Sequence, residues 1–219
     1  MYNWSYTQLM LFSKISPNDP TERLNTLTHV PGIIMGFLVL IVLSLKPAES
    51  FVHQMGYIIY AVTFILLFTA SSIYHHTNGH ERRKLLLKKI DHAAIYLFMG
   101  GCYTPFILVN MIGDYKIPFL ILIWAITITG IVTKLFSKFK NPIVSVLLYV
   151  FFAFFCFVAK ADFLDQIPRD CFLALCIGGG FYMSGIFFYL SEKLPHHHAI
   201  WHIFVLLGAT SHFYAVYFI

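Results

Sequence analysis

Residues 55–76 read MGYIIYAVTFILLFTASSIYHH, 22 positions without one Asp, Glu, Lys or Arg, closed by a histidine pair. As a helix this run covers about 33 Å, enough to cross a hydrocarbon core of about 30 Å. Its apolar residues are continuous rather than alternating, which excludes a barrel strand. Working outward, six further stretches have the same character, at approximately 29–46, 91–111, 117–137, 141–159, 171–190 and 198–218. The expected fold is all-α, a polytopic seven-transmembrane-helix bundle forming a single membrane domain over 1–219. Composition leads the same way. The chain is 58% hydrophobic and 11% charged, against about 25% charged residues in soluble domains. A water-soluble globule and a disordered chain are both excluded. Four cysteines without a CxxC pair exclude a disulfide scaffold and read as small, reduced, buried hydrophobes.

The formal charge of +5 raises nucleic acid as a partner. Its densest cluster, Arg82-Arg83-Lys84 with Lys88 and Lys89, lies between two spans. That placement fits a loop facing anionic lipid, so no nucleic-acid partner is expected. Met1 to Lys14 has no basic start before its apolar residues, and no cleaved signal peptide is expected. With the N-terminus in the cytoplasm, eleven basic residues fall inside: Lys14, Arg23, Arg82, Arg83, Lys84, Lys88, Lys89, Lys134, Lys138, Lys140 and Lys193. Four fall outside: Lys46, Lys116, Lys160 and Arg169. The positive-inside rule therefore gives a cytoplasmic N-terminus and, with seven spans, an external C-terminus. Asp114, Asp162, Asp165 and Asp170 fall on the outer side. Pro31, Pro118 and Pro142 read as residues near helix starts, and Pro105, after Thr104, as a local kink. Gly100-Gly101 and Gly178-Gly179-Gly180 should allow close helix packing.

This orientation sends nine of the eleven histidines toward the cytoplasmic side: His29, His75, His76, His80, His92, His196, His197, His198 and His202. Ser71 and His75 are four apart on one helix face, as are His198 and His202. Asp91 opens the third span at the same membrane level. Three imidazoles are suitable ligands for Zn²⁺ with an open fourth position. Asp91 could serve as general base or orient a water, and Ser71 could hydrogen-bond that water or a substrate oxygen. Zinc lowers the pKa of bound water to about 7, which suits attack on an amide or ester carbonyl. A site at the acyl–headgroup boundary makes membrane lipid the natural substrate or ligand. Plainer readings stand beside this one. The histidine pair could decorate the interface, His196–His198 could be a solvated loop, and Asp91 could be an N-cap or an ion pair with Lys88 and Lys89. Ser71 could be a packing hydroxyl, and His212 a satisfied polar residue within the bundle.

Four motifs at these residues resemble the hemolysin III family, the bacterial branch of the progestin and adipoQ receptor group, distantly related to alkaline ceramidases. They are Glu22-x-x-Asn25-x-x-Thr28-His29, Ser71-x-x-x-His75, Asp91-His92-Ala-Ala-Ile95-Tyr96 followed by Gly101-Cys-Tyr103-Thr104-Pro105, and His198-x-x-x-His202 followed by Ser211-His212-Phe213. The resemblance runs from Glu22 to the end. It implies seven helices with a cytoplasmic N-terminus, zinc on His75, His198 and His202, and Asp91 and Ser71 beside the metal-bound water. It also implies a bacterial inner (cytoplasmic) membrane. Glu22 and His29 belong to the pattern without a chemical role assigned. The expected function is a zinc-dependent hydrolase of a lipid amide or ester in membrane lipid homeostasis. The alternatives are a non-enzymatic membrane sensor with structural zinc, or a hemolysin-like cytolytic protein.

Overall fold

The computed structural model of the chain describes residues 19–77, 81–136, 141–159 and 163–219. Of the residues singled out above, Lys14, His80, Lys138, Lys140, Lys160 and Asp162 lie outside the described residues. Seven helices are long and apolar enough to cross a membrane, and the described residues contain no strand. They are α1 (Pro20–Leu45), α2 (Phe51–His76), α3 (Glu81–Asn110), α4 (Lys116–Phe136), α5 (Pro142–Ala153), α6 (Arg169–Leu190) and α7 (His197–Tyr217). A 3₁₀ segment, Phe154–Ala159, continues α5, and a second, Leu164–Gln166, precedes α6.

Two helices begin well before their apolar runs. Asp19 caps α1, its carboxylate accepting from the Thr21 amide at 2.9 Å, with Pro20 at the first position and Glu22 in the first turn. The helix therefore starts nine residues ahead of the hydropathy boundary at 29, and Pro31 lies inside it rather than near its start. α3 begins at Glu81, so the polar stretch 81–90 is helix and not loop. Its 30 residues make about 45 Å of helix, longer than the hydrocarbon core. The charged first turns are good helix formers that hydropathy cannot score. Asp91 is thus mid-helix and buried, which removes its reading as an N-cap.

α3 is the central helix. It packs against α2 and α4; α1 lies against α2 and α7, and α6 against α7. In its most apolar stretch 67% of α3 is buried, against 11% for the α5 span, which therefore faces outward along most of its length. Tyr60, Phe64, Phe68, Phe98 and Ile107 fill the core. Phe64 meets Phe68 at 5.0 Å and Phe98 edge-on at 5.6 Å. Ile34, Phe37, Leu38, Ile41 and Leu45 of α1 point outward, where lipid and not water solvates them.

Gly100 and Gly101 set the α2–α3–α4 spacing. A Cβ on Gly100 would strike the Thr127 side chain on α4, and one on Gly101 the Thr63 side chain on α2. In the glycine triplet of α6 only Gly178 is a close-contact residue, against the His212 ring; Gly179 and Gly180 have open space. The difference follows from the helical period, which turns only one of three consecutive residues toward α7. Pro105 sits buried within α3, and the adjacent Thr104 hydroxyl donates to the Gly100 carbonyl at 2.7 Å. Of the four cysteines only Cys171 is buried, Cys102 and Cys156 are partly so, and Cys176 is exposed on α6. The expectation of four buried cysteines fails because an apolar run carries its residues to lipid as readily as to the core. Gly101→Ala should lower the thermal midpoint in detergent, since overpacking a tight seam costs about 1–3 kcal/mol. Gly180→Ala should leave it unchanged or slightly raised, and circular dichroism melts of the two variants check the contrast.

Candidate metal centre

His75 closes α2, one turn beyond Ser71. His198 and His202 occupy the first turns of α7, which His196 opens in a left-handed turn at φ 57°. His196 is exposed, whereas His197 already belongs to the helix, so the histidine run is loop only at its first member. One ligand atom from each of His75, His198 and His202 can be chosen so that all lie within 4.8 Å of one another. His75 and His202 are buried and His198 partly so. The ring centroids are 5.0 Å apart for His75–His198, 5.0 Å for His75–His202 and 4.6 Å for His198–His202. The structure thus brings together the three histidines singled out in the sequence.

Two of the three rings are fixed from behind. His75 Nδ1 donates to Glu22 Oε2 at 2.7 Å. His202 Nδ1 donates to the Asn25 carbonyl at 3.0 Å, with the Thr28 hydroxyl at 3.1 Å. A carboxylate and a carbonyl only accept, so both Nδ1 atoms carry the proton and both Nε2 atoms keep a lone pair. His75 Nε2 is buried without a hydrogen-bond partner. A buried nitrogen lone pair, oriented by a carboxylate through the other nitrogen, is the arrangement metal-binding histidines adopt. An all-imidazole donor set suits zinc. The residues present therefore fit a metal, and the buried triple-histidine group could hold one.

Asp91, on the buried face of α3, lies in hydrogen-bonding contact with Ser71 and near His75. Both Asp91 and Ser71 are buried. Three helices thus contribute to one locus: α2 through Ser71 and His75, α3 through Asp91, α7 through His198 and His202.

Three participants were not assigned a role from the sequence. Glu22 on α1 accepts from His75 and from Lys84 Nζ at 3.5 Å. Lys84 also donates to the Tyr74 carbonyl at 2.7 Å and the Thr77 carbonyl at 3.2 Å, its charge 4.4 Å from the Tyr74 ring. It is buried at the end of α2, so it is not part of a lipid-facing basic loop. Its signal in the sequence was hidden among four neighbouring cations, Arg82, Arg83, Lys88 and Lys89. His29 stacks on His202 at 3.6 Å with 21° between the planes, and is buried. Its i, i+4 relation to Asn25 was legible, but its packing partner on α7 was not.

His212 is two turns and more beyond His202, against Tyr182 at 5.3 Å. Its Nδ1 has no partner, so the expectation that it is fully satisfied fails at that atom. Gly178, which has no side chain, leaves room for the ring. An open cleft of about 390 Å³ between the start of α1 and the end of α2 reaches the edge of the triad, lined by Asp19, Glu22, Arg23, Leu27 and His75. A wholly apolar groove of about 230 Å³ lies between α2, α3 and α4, lined by Leu66, Ala70, Ile90, Ala94 and Ile131 among others.

Fold and site together define an integral membrane protein of seven helices with a buried three-histidine group near one end. The family model described as Haemolysin-III related matches residues 18–213. The chain belongs to the hemolysin III family. It is 34% identical to Hemolysin-3 of Bacillus cereus over 90% of this chain and 90% of that protein. It is 32% identical to the Hemolysin-3 homolog of Bacillus subtilis (strain 168) over 90% of this chain and 93% of that one. A more distant likeness, 25% identical over 73% of this chain and 68% of the relative, is to the human monocyte to macrophage differentiation factor.

If Glu22 orients His75 for a metal, Glu22→Gln should weaken metal affinity by about 10–100-fold while the protein stays folded. Competition with a chelator of known affinity measures it. Unchanged affinity would show that the carboxylate serves packing alone.

Proposed function

We propose that the chain is a zinc-dependent hydrolase of a lipid amide or ester, acting in membrane lipid homeostasis in a bacterial inner (cytoplasmic) membrane. The observation that carries this reading is the convergence of three imidazole nitrogens with a buried carboxylic residue, Asp91, at one membrane level. His75, His198 and His202 would hold the metal. A zinc ion bound there would supply a Lewis acid for a carbonyl and would bring water ionisation toward neutral pH.

The chain's own residues supply the remainder. The Asp91 carboxylate takes the proton of the attacking water and delivers it to the leaving nitrogen or oxygen, so the proton is conserved through the cleavage. The Ser71 hydroxyl positions Asp91 or a substrate oxygen. Glu22 and the Asn25 carbonyl hold two imidazoles in one tautomer. The cleft beside His75 is a route for water and polar product to the cytoplasm. The N-terminus is cytoplasmic and the C-terminus external, as the distribution of Lys and Arg supports.

Detergent-purified protein should contain about one zinc per chain, as a three-histidine site expects, and His202→Ala should lose it. Lipid turnover across a panel of amides and esters should vanish with the metal. In Asp91→Asn the metal should remain while turnover falls by about 10²–10⁴-fold. Metal retention with undiminished lipid effects in Asp91→Asn would instead favour a structural zinc in a sensor. The name Hemolysin-3 of the Bacillus cereus relative favours a second reading, cytolysis. Dye release from liposomes at low protein-to-lipid ratio would support it.

Orientation is checked separately. In a variant lacking the four native cysteines, Gly113→Cys should react with an impermeant maleimide in intact cells. Glu192→Cys should react only after lysis. The reverse pattern would place the triad on the outer side.

A further inference from the structure

Behind the triad, on the α1 side, lies a set of buried polar atoms that the mechanism above does not use. Asn25, His29 and Ser72 are respectively 4%, 4% and 6% exposed. Asn25 Oδ1, both ring nitrogens of His29 and the Ser72 hydroxyl are buried without a hydrogen-bond partner. Asn25 and His29 share one face of α1. Phe68, which meets the His29 ring edge-on at 5.0 Å, lies one helical turn from Ser72 on α2. The three side chains therefore occupy facing turns of α1 and α2, and His29 is stacked on the ligand-candidate ring of His202.

Leaving such groups bare in the interior costs about 1–3 kcal/mol each. Native structures keep such atoms few, and here four are grouped beside a candidate reaction centre. A neutral imidazole offers one donor and one acceptor, an amide oxygen only accepts, and a hydroxyl does both. The set therefore suits a partner carrying its own O–H or N–H groups. No Lys or Arg is among them, so nothing there selects an anionic headgroup.

We infer that Asn25, His29 and Ser72 form a hydrogen-bonding subsite, against the triad and inside the bundle, that takes the uncharged, hydroxyl-bearing polar group of a lipid. The inference deepens the lipid-hydrolase reading by naming the kind of headgroup the site accepts. It explains why the His29 ring is pinned by stacking rather than by hydrogen bonds: the ring is fixed in place and both nitrogens remain available.

The test uses the full-length protein in detergent with 1-O-oleylglycerol, an ether lipid that carries two hydroxyls and cannot be hydrolysed. Binding is read as a saturable thermal shift, and zinc content is measured on the same samples. The wild type should bind saturably. His29→Phe, which keeps a stacking ring but removes both nitrogens, should raise Kd by about tenfold or more, as loss of hydrogen bonds in a buried site predicts. Ser72→Ala should raise it by a smaller factor, with zinc content unchanged in both. If His29→Phe fails to fold or loses its metal, Ser72→Ala decides alone. Wild-type Kd in the variants overturns the inference. So does absence of saturable binding in the wild type, which would leave buried water as the occupant. Because the probe is not cleaved, a chain that lacks zinc or turnover yet binds it through these residues removes the hydrolase reading and leaves the subsite standing.

Discussion

The Glu22 carboxylate is the point at which the triad-side ends of three helices are tied together. It sits on the first turn of α1, accepts from His75 at the end of α2, and lies 3.5 Å from Lys84 on the early turns of α3. A carboxylate at the edge of a bilayer is expensive unless its charge is answered and its lone pairs are used. Here both are. The same lysine covers carbonyls at the end of α2, which have no helical donors left. Orientation of His75, closure of α2 and anchoring of the polar start of α3 therefore depend on one group. Without it, Lys84 and His75 would lack their acidic partner.

That tie has to coexist with a tightly packed interior. The seams at Gly100 and Gly101 draw α2 and α4 onto α3 so closely that no side chain would fit between them. In lipid there is no hydrophobic drive to bring helices together, so close van der Waals contact must supply the attraction. The outcome is asymmetric. α2 and α3 are largely buried, while α5 and its 3₁₀ continuation have mostly lipid-facing surface. The buried half carries Ser71, His75 and Asp91. A site that needs three nitrogens within a few ångströms gains from being built on elements whose spacing is set by backbone contact.

The sequence shows the seven spans and the identity of the triad because both depend on local properties: continuous apolarity, and side chains four residues apart on a helix. Asp91 joined them through topology alone, since helices that begin or end on one side of the membrane share a level. What stayed hidden has a common cause. The starts of α1 and α3 are polar helix, and hydropathy registers the membrane, not the hydrogen bonds that cap a helix at Asp19. Lys84 looks like its neighbours Arg82 and Arg83, yet it is the one that the helical phase turns inward. Glu22, Asn25 and His29 carry a motif, but their partners are His75 and His202, distant in sequence. Nothing in a string of residues gives the α1–α7 register that stacks His29 on His202.

The interior also bears on the competing pictures of this family. A pore through one chain would need a polar path along the bundle axis. The middle of this bundle is instead filled by Tyr60, Phe64, Phe68 and Ile107, all fully buried, with Phe98 packed against them. The Tyr60 hydroxyl is used on the Ala209 carbonyl at 3.2 Å, which joins α2 to α7 across that core. Polar atoms lacking partners lie on the triad side at Asn25, His29, Ser72 and His75, further along at Tyr182 and His212, and at Asn110 at the far end of α3. The aromatic layer of α2 and α3 is what a conducting path through a single copy would have to open. The core is closed along its middle, and its unpartnered polar atoms gather mainly beside the triad.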